Sequence, residues 1–404
     1  MNVEEFRGHA KNIVDFIANY CKHIESKDVL PGVEPGFLPP LLQKECPEKG
    51  EPFDKIFKDF EEKVLPGMTP DSHPNYFAYF SCGLSFPGIL GEMLAHGFSS
   101  RIFTWINSPS GTELENIMMN WYGKAIVFQT RCGVLQSSSS ECILTCLLVA
   151  RSHKVDLLRG NSNIHESEFL PKLVAYSSQD AHYSIEKAAK ISFTKINLIS
   201  CDDKGRMRSD LLEKSIKEDI NSGLIPCFVM ATLGTTNCAA FDDAEAIGKI
   251  CREYKIWFHI DGSYGTNAFI LPELRHFGKG MEYADSINAN AGKMLLINHD
   301  SAAMWVKDSF ILKKALSASA VYVDNHSNNN CIDYRNYGIA LGRRMRAFKF
   351  WFVFRSYGLS GLREYVSRML NMAKLFVKLV KEDDRFEVVN DVNLTLSLKR
   401  IAPL

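Results

Sequence analysis

The chain has 404 residues, of which 46% are hydrophobic and 23% charged, so we predict a folded protein of two or three structural units. Lysine plus arginine and aspartate plus glutamate both number 47, and the formal net charge is zero. Without a net positive field, neither nucleic acid nor an acidic membrane surface is an expected partner. Charged residues also interrupt every long apolar run, which argues against a membrane span.

The cysteines indicate a cellular compartment. Eleven cysteines are scattered along the chain without a C-x-x-C pair, a usage that favours free thiols over a disulfide framework or a zinc site. Glu4 and Glu5 stand where a secretion signal would be basic, so no export signal is expected. We therefore predict a cytoplasmic location.

The first 84 residues have the pattern of an arm. Apolar residues recur at helical spacing over residues 2–24 and predict an amphipathic helix. Six prolines follow between residues 31 and 52, which predicts an extended segment. Residues 1–84 are thus expected to form an N-terminal helical arm that wraps either its own body or a partner subunit.

Residues 85–355 alternate apolar β-branched runs with helical stretches, as in PCFVMATLG, DDAEAIGKICREYK and IWFHIDG. This pattern predicts an α/β domain with a mainly parallel sheet, whose ligands bind at the carboxyl ends of the strands. Residues 356–404 contain a helix at about 361–382 and two strands, RFEVV and LTLSLKRI. We expect them to be an incomplete C-terminal α+β domain.

Two features of the α/β region suggest sites for charged ligand groups. Ser137–Ser140 lie between a strand and a helix, where hydroxyls and free amides can bind a phosphate, although simple N-capping explains them as well. Asp261 ends a strand and can pair with a pyridine-type nitrogen. A structural role for Asp261 stays open, and a metal site is disfavoured because no His or Cys cluster surrounds it.

Two further residues, Lys293 and His182, have side-chain nitrogens that could take part in catalysis. Lys293 follows an apolar strand, and an amine confined in a site can attack a carbonyl and form a Schiff base, whereas a lone lysine is usually solvated. His182 lies on a strand-to-helix turn, where capping is the simpler explanation. A phosphate cradle, a strand-end Asp and a strand-end Lys are together the contacts that pyridoxal phosphate needs.

Segments along nearly the whole chain, including HPNYFAYF, ATLGTTNCAAFDD, HIDGSYG and ADSINANAGKMLL, resemble the aromatic-L-amino-acid decarboxylases. These are group II pyridoxal-phosphate enzymes with an aspartate-aminotransferase-like fold. The resemblance implies a homodimer that decarboxylates aromatic amino acids such as DOPA or 5-hydroxytryptophan, with histidine and tyrosine decarboxylases as close relatives.

The resemblance also implies roles for individual residues. Lys293 matches the lysine that binds the cofactor, Asp261 the partner of its ring nitrogen, and His182 the histidine stacked on its ring. Tyr322 matches the loop tyrosine that protonates the α-carbon. The positions that match further cofactor contacts are Ser139, Ser140, Thr236 and Asn290, and those that match the substrate pocket are Tyr79, Phe80 and Phe103. Ser263 and Cys82 are also expected to contact the cofactor, although Ser263 replaces a small apolar residue of the family.

Several residues depart from the family pattern. Gly292 and Ala291 replace the histidine and proline before the lysine, and Cys82 replaces a threonine. Ser137 replaces a glycine, and Arg101 replaces an apolar pocket residue. These changes keep a second hypothesis open, a diverged non-catalytic relative that retains the dimer scaffold.

Two other functions are disfavoured. An aminotransferase usually needs an arginine from the small domain, which is incomplete here. The basic and aromatic segment GRRMRAFKFWFVFR resembles a core helix of the family rather than a nucleic-acid site, since the net charge is zero.

Overall fold

The computed structural model describes residues 1–80, 82–128, 132–317 and 332–396, together with the backbone of the strand Lys399–Ile401. It comprises two compact units, Met1–Cys82 and Gly83–Leu404. The three-part division at residues 84 and 355 stays a prediction. Within the described ranges, no helix has the length and apolar character needed to cross a membrane.

The first unit begins with helix α1 (Val3–Lys22), which confirms the predicted N-terminal helix. A capping box starts it: the side chain of Asn2 accepts the Glu5 N–H at 2.9 Å, and the Glu5 carboxylate accepts the Asn2 N–H at 2.7 Å. The proline-rich stretch that follows contains one short 3₁₀ turn, Pro39–Leu41, as expected for a segment with six prolines.

An aromatic cluster holds the first unit together. Helix α2 (Phe53–Asp59) continues as a π-helical turn at Phe60–Val64. The ring of Phe16 on α1 packs edge-on against Phe57, with ring centroids 5.3 Å apart. None of the residues of α1 is buried, and Val3, Phe6 and Val14 are exposed apolar residues on it.

The second unit is built on a sheet whose described part has seven strands. The strands are β1 (Gly133–Gln136), β2 (Leu173–Ser178), β3 (Lys195–Ile199), β4 (Ile225–Thr232), β5 (Trp257–Asp261), β6 (Ser286–Asn290) and β7 (Ala302–Val306). The helices are α3 (Phe86–Phe98), α4 (Pro109–Ala125), α5 (Ser139–Arg159), α6 (Ser184–Ile191), α7 (Ser209–Asn221), α8 (Ala244–Glu253), α9 (Ser309–Leu316) and α10 (Ala347–Lys381).

The strand order is β1-β7-β6-β5-β4-β2-β3, and every pair is parallel except the two that involve β7. This mixed but mainly parallel sheet confirms the predicted α/β class. Strands β2 and β5 are buried along their whole length, as continuous apolar runs require when both faces of a sheet are covered. The unit β4–α8–β5 is the strand-helix-strand element expected from the sequence.

The element α10 consists of two helical segments that meet at a kink, and the second segment agrees with the helix predicted at about 361–382. The first segment begins at Ala347, and the backbone leaves helical angles at Gly358, where φ is 62°. Glycine adopts that angle without a steric cost, so helical segments on both sides of Gly358 join into one kinked element. Beyond it, Phe386–Val388 (β8) and Lys399–Ile401 (β9) pair as an antiparallel ribbon. The predicted second strand is therefore shorter than the LTLSLKRI run.

Candidate active site

One edge of the sheet gathers the predicted site residues. Strands β1, β2, β4, β5 and β6 run in the same direction, so their carboxyl ends lie at the same edge. Asp261 ends β5 and pairs in register with Thr232 of β4 and Asn288 of β6. Ligands bind at this edge in sheets of this type.

Lys293 lies in a tight turn after β6. The turn is a 3₁₀ helix, Ala291–Lys293, and the side chain of Asn290 caps it by accepting the Gly292 N–H at 3.1 Å. Burial lowers the pKa of the Lys293 amine, and the charge of Asp261 opposes that shift only in part. A larger fraction of the amine is therefore unprotonated, which is the form that attacks an aldehyde.

Asp261 is a buried carboxylate, 4% exposed, and its oxygen Oδ1 accepts several hydrogen bonds. The donors are the Ser263 N–H at 3.0 Å, the Ser263 hydroxyl at 2.5 Å and Nδ2 of Asn288 at 3.0 Å. These bonds hold the carboxylate in one orientation. The carboxylate can therefore pair with a positive ring nitrogen.

His182 follows β2 at the same edge. Its Nδ1 accepts the Ser184 N–H at 3.2 Å, which leaves the proton of the neutral ring on Nε2. Burial lowers the pKa of His182; the charge of Asp261 opposes the shift and that of Lys293 adds to it. The three residues therefore lie within electrostatic reach of one another, as the sequence led us to expect.

The predicted phosphate cradle opens helix α5. Ser138 is the N-cap and its Oγ accepts the Glu141 N–H at 3.2 Å, which confirms the capping role of this serine run. The amides of Ser139 and Ser140 begin the helix and have no carbonyl in the preceding turn to bond. The Oγ of Ser139 is buried and has no hydrogen-bond partner among the described residues. Both kinds of donor suit a phosphate.

Ser137 is used differently from the other serines of this run. Its N–H donates to the Glu141 carboxylate at 3.0 Å, and its hydroxyl bonds the same oxygen. Ser137 is therefore bonded to Glu141 rather than open to an anion.

Three more predicted or divergent positions belong to the second unit. Thr236 is exposed on the turn after β4, and Arg101 is also exposed. Phe103 is half-buried, and its carbonyl accepts the Arg335 N–H at 2.9 Å. The contacts that the sequence suggested for these side chains at the site stay predictions.

The other predicted positions lie outside the second unit or outside the described ranges. Tyr79, Phe80 and Cys82 belong to the first unit. Tyr322 lies outside the described residues. Their roles at the site also stay predictions.

Two residues behind Asp261 were not expected from the sequence, His259 and Asn288. His259 is fully buried, with Nε2 2.8 Å from Oδ1 of Asn288 and Nδ1 2.8 Å from the Ser286 hydroxyl. His259 precedes Asp261 by two residues on the same strand, so both side chains lie on one face of the sheet. That spacing was the available signal for His259, whereas the Asn288 contact needed the strand register.

These residues fit pyridoxal phosphate. Lys293 supplies a reactive amine, Asp261 a carboxylate and the start of α5 free amide donors, and the orphaned Ser139 hydroxyl is the kind of group that a phosphate satisfies. With the mainly parallel sheet, this arrangement is that of the fold type I class of pyridoxal-phosphate enzymes.

Comparison with known proteins indicates which family of pyridoxal-phosphate enzymes the chain resembles. The family model "Pyridoxal-dependent decarboxylase conserved domain" matches residues 35–400. The chain is 42% identical to aromatic-L-amino-acid decarboxylase from Cavia porcellus, over 99% of this chain and 86% of the relative. It is 40% identical to histidine decarboxylase from Drosophila melanogaster, over 99% of this chain and 49% of the relative.

Solved structures agree with this family. The structure of Oryza sativa TDC with PLP and tryptamine superposes with a TM-score of 0.96 at 32% identity, covering 100% of this chain and 84% of that one. The chain belongs to the pyridoxal-dependent decarboxylase family. It is a carboxy-lyase that uses pyridoxal 5'-phosphate to remove the carboxyl group of an amino acid.

Proposed function

We propose that the substrates are aromatic L-amino acids of the DOPA and 5-hydroxytryptophan type, which the enzyme converts to the corresponding amines. The observation that carries the proposal is the Lys293 amine, whose pKa is lowered by burial, within electrostatic reach of the Asp261 carboxylate. The choice of an aromatic side chain rests on the similarity to an aromatic-L-amino-acid decarboxylase over 99% of this chain.

The cofactor, when bound, supplies an electron sink for the electrons of the broken carbon–carbon bond. Lys293 would hold the cofactor through its aldehyde group until a substrate amine takes the place of the lysine. Asp261 would keep the ring nitrogen protonated, and the donors of Ser139 and Ser140 would hold the phosphate. His182 would cover the ring, and Tyr322 would return a proton to the α-carbon of the substrate.

Release of carbon dioxide from DOPA or 5-hydroxytryptophan, with added pyridoxal phosphate, tests this function. We expect turnover by the unsubstituted chain and none by Lys293→Ala. Lys307→Ala, which removes an exposed lysine outside the site, serves as a matched control and should retain full activity. The proposal would be rejected if the unsubstituted chain released carbon dioxide from neither DOPA nor 5-hydroxytryptophan.

Two alternatives have specific support. A histidine decarboxylase is favoured by the 40% identity to the Drosophila melanogaster enzyme, and release from histidine but not from DOPA would identify it. A non-catalytic relative is favoured by Gly292, which puts no side chain beside Lys293. Visible cofactor absorbance without turnover of any amino acid would establish that second alternative.

We further propose a cytoplasmic homodimer in which α1 contacts a second copy. Val3, Phe6 and Val14 are exposed apolar residues on α1, with Phe6 64% exposed. Such a stripe favours self-association. Phe6→Asp should yield a monomer in sedimentation, whereas Ile220→Asp, which alters an exposed apolar residue of α7, should leave the dimer intact. A dimer that survives Phe6→Asp would exclude this face.

A further inference from the structure

The hydrogen bonds of the Asp261 carboxylate are one-sided. Within the part of the chain that the structure describes, the donors to its side chain all end on Oδ1. Two of them come from Ser263, through its N–H at 3.0 Å and its hydroxyl at 2.5 Å. Oδ1 is thereby saturated, and Oδ2 is left for a ligand.

Ser263 serves the carboxylate in two ways. Its Oγ donates to Asp261 and also accepts a hydrogen bond from Nδ2 of Asn288 at 2.8 Å. The same Nδ2 donates to Oδ1 of Asp261 at 3.0 Å, so three polar groups form a closed, buried triangle. Removing the hydroxyl breaks two sides of that triangle and leaves a buried amide hydrogen unpaired.

A chain of hydrogen bonds fixes the direction of this triangle. A carboxylate only accepts, so the amide nitrogen of Asn288 must face Asp261 and its Oδ1 must face His259. Nε2 of His259 therefore carries the proton, and Nδ1 accepts from the Ser286 hydroxyl. Ser286 in turn accepts from Nε1 of Trp257 at 2.8 Å. Every donor in this series points towards Asp261.

We propose that Ser263 is a positioning residue of the decarboxylase: with Asn288, it locks Asp261 through Oδ1, so that Oδ2 and the negative charge are held for the protonated ring nitrogen of the cofactor. This inference rests on the proposed function. It assigns Ser263 a role through Asp261 in place of the direct cofactor contact that the sequence suggested.

The chemical consequence concerns the ring nitrogen. A carboxylate that receives more hydrogen bonds keeps its charge and leaves the proton on the ring. When one of these bonds is lost, the carboxylate becomes a stronger base and competes with the ring nitrogen for its proton. The positive charge of the ring then repels the protonated nitrogen at Lys293 less strongly, so that nitrogen loses its proton at a higher pH.

The test compares Ser263→Ala with Ser192→Ala, a matched control that loses another buried serine hydroxyl, bonded to the carbonyl of Ala189 at 3.2 Å. Both are loaded with pyridoxal phosphate and titrated by visible absorbance, and kcat and KM are measured. For Ser263→Ala we expect the midpoint of the absorbance titration to move to a higher pH. We also expect kcat to fall about tenfold, with KM unchanged. Ser263→Cys, a weaker donor, should fall between Ala and Ser.

The outcomes separate the two proposals. If the unsubstituted chain shows no visible cofactor absorbance, the proposed function itself fails. If that chain is normal and Ser263→Ala keeps its midpoint and kcat, only the role of Ser263 is overturned. An equal change in Ser192→Ala would also overturn it, because a general packing defect would then explain the loss.

Discussion

Nη2 of Arg343 lies 2.5 Å from Oε1 of Glu115, and both side chains are buried, with 5% and 0% of their surface exposed. The same guanidinium donates to the carbonyl of Leu135 at 2.8 Å, and Glu115 accepts the Leu135 N–H at 2.9 Å. Nη1 of Arg343 also donates to the Ile102 carbonyl at 3.2 Å. The pair thus fixes the end of β1, just before the turn that begins the phosphate cradle.

Breaking this pair should be costly. In Glu115→Gln the charge of Arg343 stays buried without its counter-ion, so we expect the free energy of unfolding to fall by about 3–5 kcal/mol in urea titrations. The control is Arg208→Ala, which breaks an exposed pair with Asp210 and should cost less than about 1 kcal/mol. Equal losses in the two variants would contradict a special role for the buried pair.

Asp261 should control the protonation of Lys293. Its charge opposes the effect of burial on the pKa of the lysine amine, so Asp261→Asn should lower that pKa further. The unprotonated amine attacks the cofactor aldehyde, and the attachment rate should therefore reach its plateau at a lower pH. Stopped-flow absorbance after mixing with pyridoxal phosphate measures this rate.

The control for this experiment is Asp156→Asn, which removes a carboxylate paired with Lys314 on the surface. Its attachment profile should match that of the unsubstituted chain. A profile for Asp261→Asn that moves to higher pH would contradict the electrostatic assignment.

His259 should make stability depend on pH. Burial lowers its pKa to about 4, below the 6.5 expected in the unfolded chain, while the charge of Asp261 opposes that shift. The unfolded state binds more protons between these values, so this contribution is complete above about pH 6.5 and is lost as the pH falls towards 4. We expect a loss of about 3 kcal/mol over this range.

His259→Gln should flatten the pH dependence, because glutamine does not titrate. Denaturant titrations at several pH values compare the two proteins. His165→Gln, which replaces an exposed histidine, is the control and should keep the slope of the unsubstituted chain. A slope that survives in His259→Gln would place the titrating group elsewhere.

Gly292, at a position where the sequence resemblance implies a histidine, is closely surrounded by other atoms. A Cβ at Gly292 would lie 2.7 Å from Oγ of Ser301 and 3.1 Å from the carbonyl oxygen of Ile297. Gly292→Ala should therefore cost about 1–3 kcal/mol of unfolding free energy. The same substitution in a Ser301→Gly background should cost less, since the closest atom is gone.

A double-mutant cycle of unfolding free energies measures that coupling. Gly97→Ala, at a glycine with no atom within 4 Å of an added Cβ, provides the control and should not destabilise the protein. Additive costs at Gly292 and Ser301 would show that Ser301 does not restrict this position.

Much of the fold followed from local patterns. The apolar runs IWFHID and PCFVMAT predicted buried parallel strands because their periodicity and composition are local properties, and β4 and β5 occupy those positions. The helix predicted at about 361–382 matches the segment of α10 that follows Gly358, because its apolar spacing is also a local property.

Only part of the candidate site could likewise be predicted from local sequence patterns. The sequence by itself determined which groups stand at strand ends, namely Asp261, Lys293 and the serines before α5, because strand ends are visible in the pattern. Only the tertiary structure decided that Asn288 and Ser263 meet on one oxygen of Asp261, and that Glu115 and Arg343 form a buried pair. Ser263 is only two positions from Asp261, but the Asn288 and Arg343 contacts join residues 27 and 228 positions apart and depend on strand register and packing, which no local periodicity encodes.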